Sequence, residues 1–217
     1  MAIPRFEYDY TLSDGRDVEL LAVTPSEFLL GAKDAGPEPA AAVRGPKVMR
    51  YVLRFSLRKV DGEAVNYTTL DADGFKRCIP RTRDVLALEA VCAQIHTPPD
   101  SAFAAVVQSL SCASSDGPEV WTATLPSVGA GPDGVALPVR KVVFQEVSPA
   151  TVEDAIREAS LSAKSEAAQN FYGIMANCAR SIVSVDGVPY GRETLKGKGW
   201  DSLFSVKDTF LLGAVYD

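Results

Sequence analysis

Val60-Asp61-Gly62 and Val185-Asp186-Gly187 are one tripeptide written twice, 125 positions apart, and the match extends in both directions. Thr24-Pro25 returns 124 positions later as Ser148-Pro149, each a hydroxyl residue followed by proline after an apolar stretch. Arg83-Asp84 returns as Lys207-Asp208, and Leu88 and Ala90 return as Leu212 and Ala214, again 124 apart. No single identity carries weight. Their common order, with an offset that drifts by one residue, predicts a tandem repeat of one small unit.

The first unit opens with Tyr8, Tyr10 and Leu12 alternating with polar residues, then Ser13-Asp14-Gly15-Arg16, then the apolar run Val18 to Val23. Alternation on both sides of an Asp-Gly predicts a β-hairpin, because the turn needs positive φ. Thr24, Pro25 and Glu27 form a helix start: hydroxyl cap, proline where no N–H is needed, and a capping-box carboxylate. That helix carries Phe28, Leu29 and Leu30 to about Gly36-Pro37, and residues 36–46 predict a linker. The second unit repeats this order, with a hairpin from Val120 to Val147 around a Gly/Pro-rich loop over 126–134, and a helix starting at Ser148-Pro149.

One stretch is ambiguous by itself. Residues 48–60 fit a strand through Tyr51, Leu53, Phe55 and Leu57, and equally a helix through Met49, Val52, Leu53, Ser56, Leu57 and Val60. Its partner has Phe171, Ile174, Met175, Cys178, Ile182 and Val185, which is helical spacing only, so both stretches are read as helices. The predicted fold is α+β: two tandem repeats, each a β-hairpin followed by about three helices. The first repeat spans 1–112, including an extra helix over 101–111 with Asp100 as its cap, and the second spans 113–217.

Composition sets limits on partners. A net charge of −6 among 217 residues argues against a general affinity for nucleic acid or an anionic membrane. No apolar run approaches the roughly 20 residues of a membrane helix, and the N-terminus lacks the basic-then-apolar order of a signal peptide. Cys78, Cys92, Cys112 and Cys178 have no paired spacing, which predicts reduced, buried thiols.

Catalytic chemistry finds little support. His96 is the sole histidine, and a thiol hydrolase would have to pair it with Cys92, one helical turn earlier, without a third orienting group. A helix-end histidine packed beside a core cysteine is the simpler reading. The Gly191 to Gly199 stretch has one residue too many for a phosphate loop, and a glycine where the magnesium-binding hydroxyl belongs. Asp71 to Gly74 begins like a calcium loop, but Thr82 stands where the bidentate glutamate is needed. The expectation is therefore a non-enzymatic protein without catalytic residues, cofactor or metal.

The helix faces differ between the units. Arg50, Arg54 and Arg58 recur every four residues, with Lys47 one turn earlier, and on a helix they form a basic stripe. Met175, Ala179 and Val183 occupy the matching positions and are uncharged. Both sets are candidate partner-binding surfaces: the first for an acidic helix, the second as a face buried against the other unit or a groove.

The order of elements, with Val185-Asp186-Gly187 followed by Trp200-Asp201, Leu203 and Asp208, resembles the tail assembly chaperones and related baseplate assembly proteins of contractile-tailed bacteriophages. Val60-Asp61-Gly62, Phe75, Ile79 and Asp84 are the fainter version in the first unit. The usual chain of that family carries one such unit, whereas this one carries two. The resemblance implies a morphogenesis protein acting as assembly chaperone or adaptor in the bacterial host cytoplasm, or alternatively a permanent part of the virion tail or baseplate. It implies other tail or baseplate proteins as partners, with homo-oligomer or ring assembly compatible, and no catalytic residues.

Overall fold

The computed structural model describes residues 5, 7–37, 41–67, 70, 72–113, 118–126 and 139–215, with backbone alone for 41–46 and 72. The chain is α+β. Strands β1 (Glu7–Thr11) and β2 (Asp17–Leu21) form the first hairpin, its turn closed by Gly15 at φ 87°. Helix α1 (Pro25–Asp34) follows, with the capping box in place: Thr24 accepts from the Glu27 N–H and Glu27 from the Thr24 N–H. Helix α2 (Ala41–Ser56) comes next. Residues 41–46, expected in a linker, are therefore helical, even though Pro46, at the sixth helical position, has no N–H to donate back to the Ala42 carbonyl.

The helical reading of 48–60 holds to Ser56 and then fails. Leu57–Val60 is strand β3, which turns through Asp61 (φ 53°) and Gly62 (φ 80°) into β4 (Glu63–Ala64). Two consecutive positive φ angles make this a tight hairpin turn of the kind Asp-Gly favours. The apolar residues continue at helical spacing across the boundary, so periodicity alone does not reveal it. What ends the helix is the unpaired edge of β2, which takes β3 as its next strand.

Helices α3 (Ala72–Cys78), α4 (Thr82–His96) and α5 (Asp100–Ser109) complete the first half. Asp100 is the first helical residue of α5 rather than its cap, which is Pro99. The second half runs β6 (Val120–Leu125), β7 (Arg140–Gln145), α6 (Pro149–Ser162), α7 (Glu166–Ser181), β8 (Ile182–Val185), β9 (Val188–Pro189), α8 (Lys198–Leu203) and α9 (Val206–Gly213). Among the described residues, each half thus has a second small hairpin and one helix, α3 or α8, beyond those expected.

The two sheets are also alike in hydrogen-bond register. Val18 pairs with Val60 and Leu20 with Leu57, across a bulge at Glu19/Leu20. Val142 pairs with Val185 and Phe144 with Ile182, across a bulge at Val143/Phe144. Asp186 (φ 51°) and Gly187 (φ 79°) repeat the turn of Asp61 and Gly62. The loop expected over 126–134 lies outside the described residues beyond Pro126.

The halves are not separate. Strand β5 (Ser111–Ala113) follows α5 and joins the second sheet, pairing Cys112 with Trp121 on β6. The sheet orders are β1-β2-β3-β4 and β5-β6-β7-β8-β9, so the expected boundary at 112/113 runs through β5. One continuous apolar core contains residues of both halves. At its centre Phe28 of α1 lies 4.7 Å from Phe171 and 5.5 Å from Phe210, which are themselves 5.2 Å apart. Asp201 of α8 accepts the Ser26 N–H at the start of α1 (3.0 Å), so one half caps a helix of the other. Truncating Phe28 to Ala empties a buried aromatic site shared by the two halves. It should cost about 3–5 kcal/mol in denaturant unfolding, whereas Leu161→Ala, at a side chain 82% exposed, should stay within about 0.5 kcal/mol.

Candidate functional site

His96 and Cys92 come first, because they are the one nucleophile–base pair the sequence offers. His96 is 1% exposed. Its Nε2 accepts the Val23 N–H (2.9 Å) and its Nδ1 donates to the Cys92 carbonyl (2.7 Å). Both ring nitrogens are thereby committed to backbone, and the ring is neutral with its proton on Nδ1. Burial lowers the His96 pKa to about 4 and pushes the Cys92 thiol up. A thiol held protonated beside a histidine with no spare lone pair is neither nucleophile nor base. The pair locks the end of α4 to the strand exit at Val23.

A pH signature follows. A histidine whose folded pKa is about 4, below the unfolded value near 6.5, stabilises the fold fully above pH 6.5 and loses that contribution as pH falls toward 4. Between pH 6.5 and 5 the protein should lose about 2 kcal/mol through this group. His96→Gln should flatten that segment of a pH series of urea unfolding curves.

The other candidates dissolve similarly. Among the described residues, no group of three or more His, Cys, Asp or Glu side chains could hold a metal ion. Asp71 lies outside the described residues, while Asp73 sits in the first turn of α3. The Gly191–Gly199 stretch is a series of turns leading into α8. None of the four cysteines is in a disulfide; Cys92 and Cys178 are buried as expected, but Cys112 is exposed on β5. No described helix is long and apolar enough to cross a membrane.

The arginine stripe is shorter than expected and largely engaged. Arg50 and Arg54 are on α2, but Arg58 is on β3, past the helix end, so four-residue spacing no longer places it on the same face. Arg50 donates to Glu89 of α4, a carboxylate 5% exposed. Arg54 donates to the Leu70 carbonyl and lies over the Tyr51 ring. Arg58 stacks on Tyr67 at 4.0 Å and donates to the Phe55 carbonyl. Burial lowers its pKa from the ordinary arginine value.

In the second half, Met175 and Ala179 are buried on α7 beside Leu195, and Val183 is half-buried on β8. The matching helix–helix contact is made differently there. Where Arg50 reaches Glu89, the second half has Met175 and Gly213, and a Cβ on Gly213 would come within 2.8 Å of Ile174. A close approach replaces an ion pair.

What remains open in the first half is a cleft of about 440 Å³ between α2, α3 and α4. Lys47, Arg50, Arg54 and Lys76 rim it, and Phe75 and Ile79 lie on its floor. It is cationic at the mouth and apolar below, which suits an amphipathic segment bearing carboxylates better than a small polar substrate. A second cleft of about 390 Å³ lies beside Trp121, Phe144 and Val152 and is mainly apolar. Lys47, Arg50 and Arg54 of the first cleft were legible from spacing. Phe75, Lys76 and Ile79 were not, because only tertiary packing brings α3 to α2.

Arg50→Ala should destabilise by about 1–3 kcal/mol in chemical denaturation, because Glu89 is left buried without its partner. Adding Glu89→Ala should recover part of the loss. Compared with known families, characterised proteins and solved structures, the chain has no match.

Proposed function

We propose that the chain is a non-enzymatic assembly protein that holds other proteins through helix faces, as an adaptor or assembly chaperone in tail or baseplate morphogenesis of a contractile-tailed phage. The observation carrying the protein-binding reading is the cleft between α2, α3 and α4, cationic at its rim and apolar at its floor. The buried, backbone-committed state of His96 and Cys92 supports it by leaving that pair no chemistry. The phage context rests on the resemblance carried by Val185-Asp186-Gly187, Trp200-Asp201, Leu203 and Asp208.

On this reading the chain is a product of tandem duplication. One scaffold specification was kept twice while equivalent faces diverged, so that Arg50 and Arg54 stand against Met175 and Ala179. Its place of action is the host cytoplasm during assembly. The alternative, a permanent part of the virion, is favoured by the continuous core joining the halves, which makes a rigid body rather than two tethered modules.

Quantitative mass spectrometry of purified particles from an infection that expresses the gene separates the two. Stoichiometric presence is the outcome expected of a fixed component; presence in lysate but absence from particles is expected of a chaperone. If the chain is made independently of any tail operon and tail formation is unchanged on its deletion, the phage reading is overturned.

A further inference from the structure

The contact between the two halves is not two-fold. Helix α1 of the first half packs on α7, α8 and α9 of the second, while α6, the counterpart of α1, packs on α7 of its own half. Each half therefore contributes a different surface. A like half outside the molecule could use the surface that each leaves over.

Both leftover surfaces are present. On α1, Gly31 faces α2, with its Cα side against Val52, and Lys33 lies over Tyr172 of α7. At 100° per residue, Pro25, Leu29 and Ala32 fall on the arc between those two directions, and all three are buried, Ala32 completely. Their counterparts 124 positions on are Pro149, Glu153 and Ile156, and all three are exposed, Ile156 by 58%. The receiving surface shows the same asymmetry. Tyr172, Asp201 and Phe210, which meet Lys33, Ser26 and Phe28 of α1, correspond to Lys47, Lys76 and Leu86. The last of these is a leucine 54% exposed, at the place where Phe210 closes on Phe28.

We propose that the chain self-associates head to tail: α6 of one copy docks in the α2–α3–α4 cleft of the next, as α1 docks on α7–α9 within the chain. Charge favours this occupant. The cleft rim carries Lys47 and Lys76 beside Arg50, which is already paired with Glu89, and the exposed face of α6 carries Glu153 beside Asp154 and Arg157, which pair with each other at 3.5 Å. Within the chain, Asp201 caps α1 at Ser26; between copies, Lys76 instead meets Glu153, one turn further along α6. Ile156 and Leu86 supply the apolar centre, and the ion pairs form the rim. Because the two surfaces differ, the interface is heterologous, so repetition gives a closed ring or an open filament rather than a dimer. The inference goes beyond the phage assignment and does not need it.

The test uses two substitutions at exposed side chains, Ile156→Arg on α6 and Leu86→Asp on α4, next to the Val85 that lines the cleft, with thermal melts to show that each variant is folded. In sedimentation velocity the wild type should form species larger than dimers as concentration rises, and association should weaken with added salt. Each variant alone should associate roughly tenfold or more weakly. An equimolar mixture should form a one-to-one dimer and stop there, since it pairs one intact α6 with one intact cleft. A monomeric wild type at its highest soluble concentration overturns the proposal. So does a folded variant that assembles like the wild type, or a mixture that does not pair. If an acidic helix of another protein binds the cleft while α6 does not, self-association fails and the adaptor reading stands.

Discussion

Phe28 sits on the first helix of one half and is closed in by Phe171 and Phe210 of the other, and much of the molecule depends on that closure. An aromatic ring of this size, 3% exposed, removes a large apolar area from water for one residue's ordering cost. It also dictates where α1 must lie. With Phe28 inside, the start of α1 meets α8, and Asp201 accepts the Ser26 N–H. At the other side of the contact, α5 packs against β6, and the chain leaving it becomes the edge strand β5. The halves are joined by a helix docked in one direction and a strand added in the other.

That arrangement explains why similar sequences build dissimilar surfaces. A buried position in the docked helix needs a small or apolar side chain, as at Leu29 and Ala32. The same position in α6 faces water, and Glu153 and Ile156 occupy it. Similarly, the contact between α2 and α4 is bridged by Arg50 and the buried Glu89, whereas α7 and α9 meet through Ile174 and Gly213. An ion pair with one partner half exposed contributes little net stability but fixes geometry. A glycine contact achieves closeness without any charge.

Several features were legible in the residues because the physics behind them is local. A Thr or Ser before proline caps a helix from its own side chain, and Asp-Gly turns a hairpin because both residues tolerate positive φ. The two caps and the Asp-Gly turns at 14–15, 61–62 and 186–187 stand where the residues put them. The helix–strand boundary at Ser56/Leu57 was hidden, since apolar spacing runs through it unchanged and the strand forms only because β2 offers an unpaired edge. The arginine stripe was misread for the same reason: once Leu57 begins a strand, Arg58 leaves the helix face.

By itself, the sequence determined the α+β class, the recurrence of caps and turns at a near-constant offset, and the absence of a long apolar span. Each of these depends on residues within a few positions of one another. Only the tertiary structure decided that the halves share one core, that β5 crosses into the second sheet, and that His96 is committed to Val23 and Cys92. Those outcomes depend on which of several equally apolar faces meet, such as Phe28 with Phe171. That choice is made by shape and packing across more than a hundred residues, where no local spacing records it.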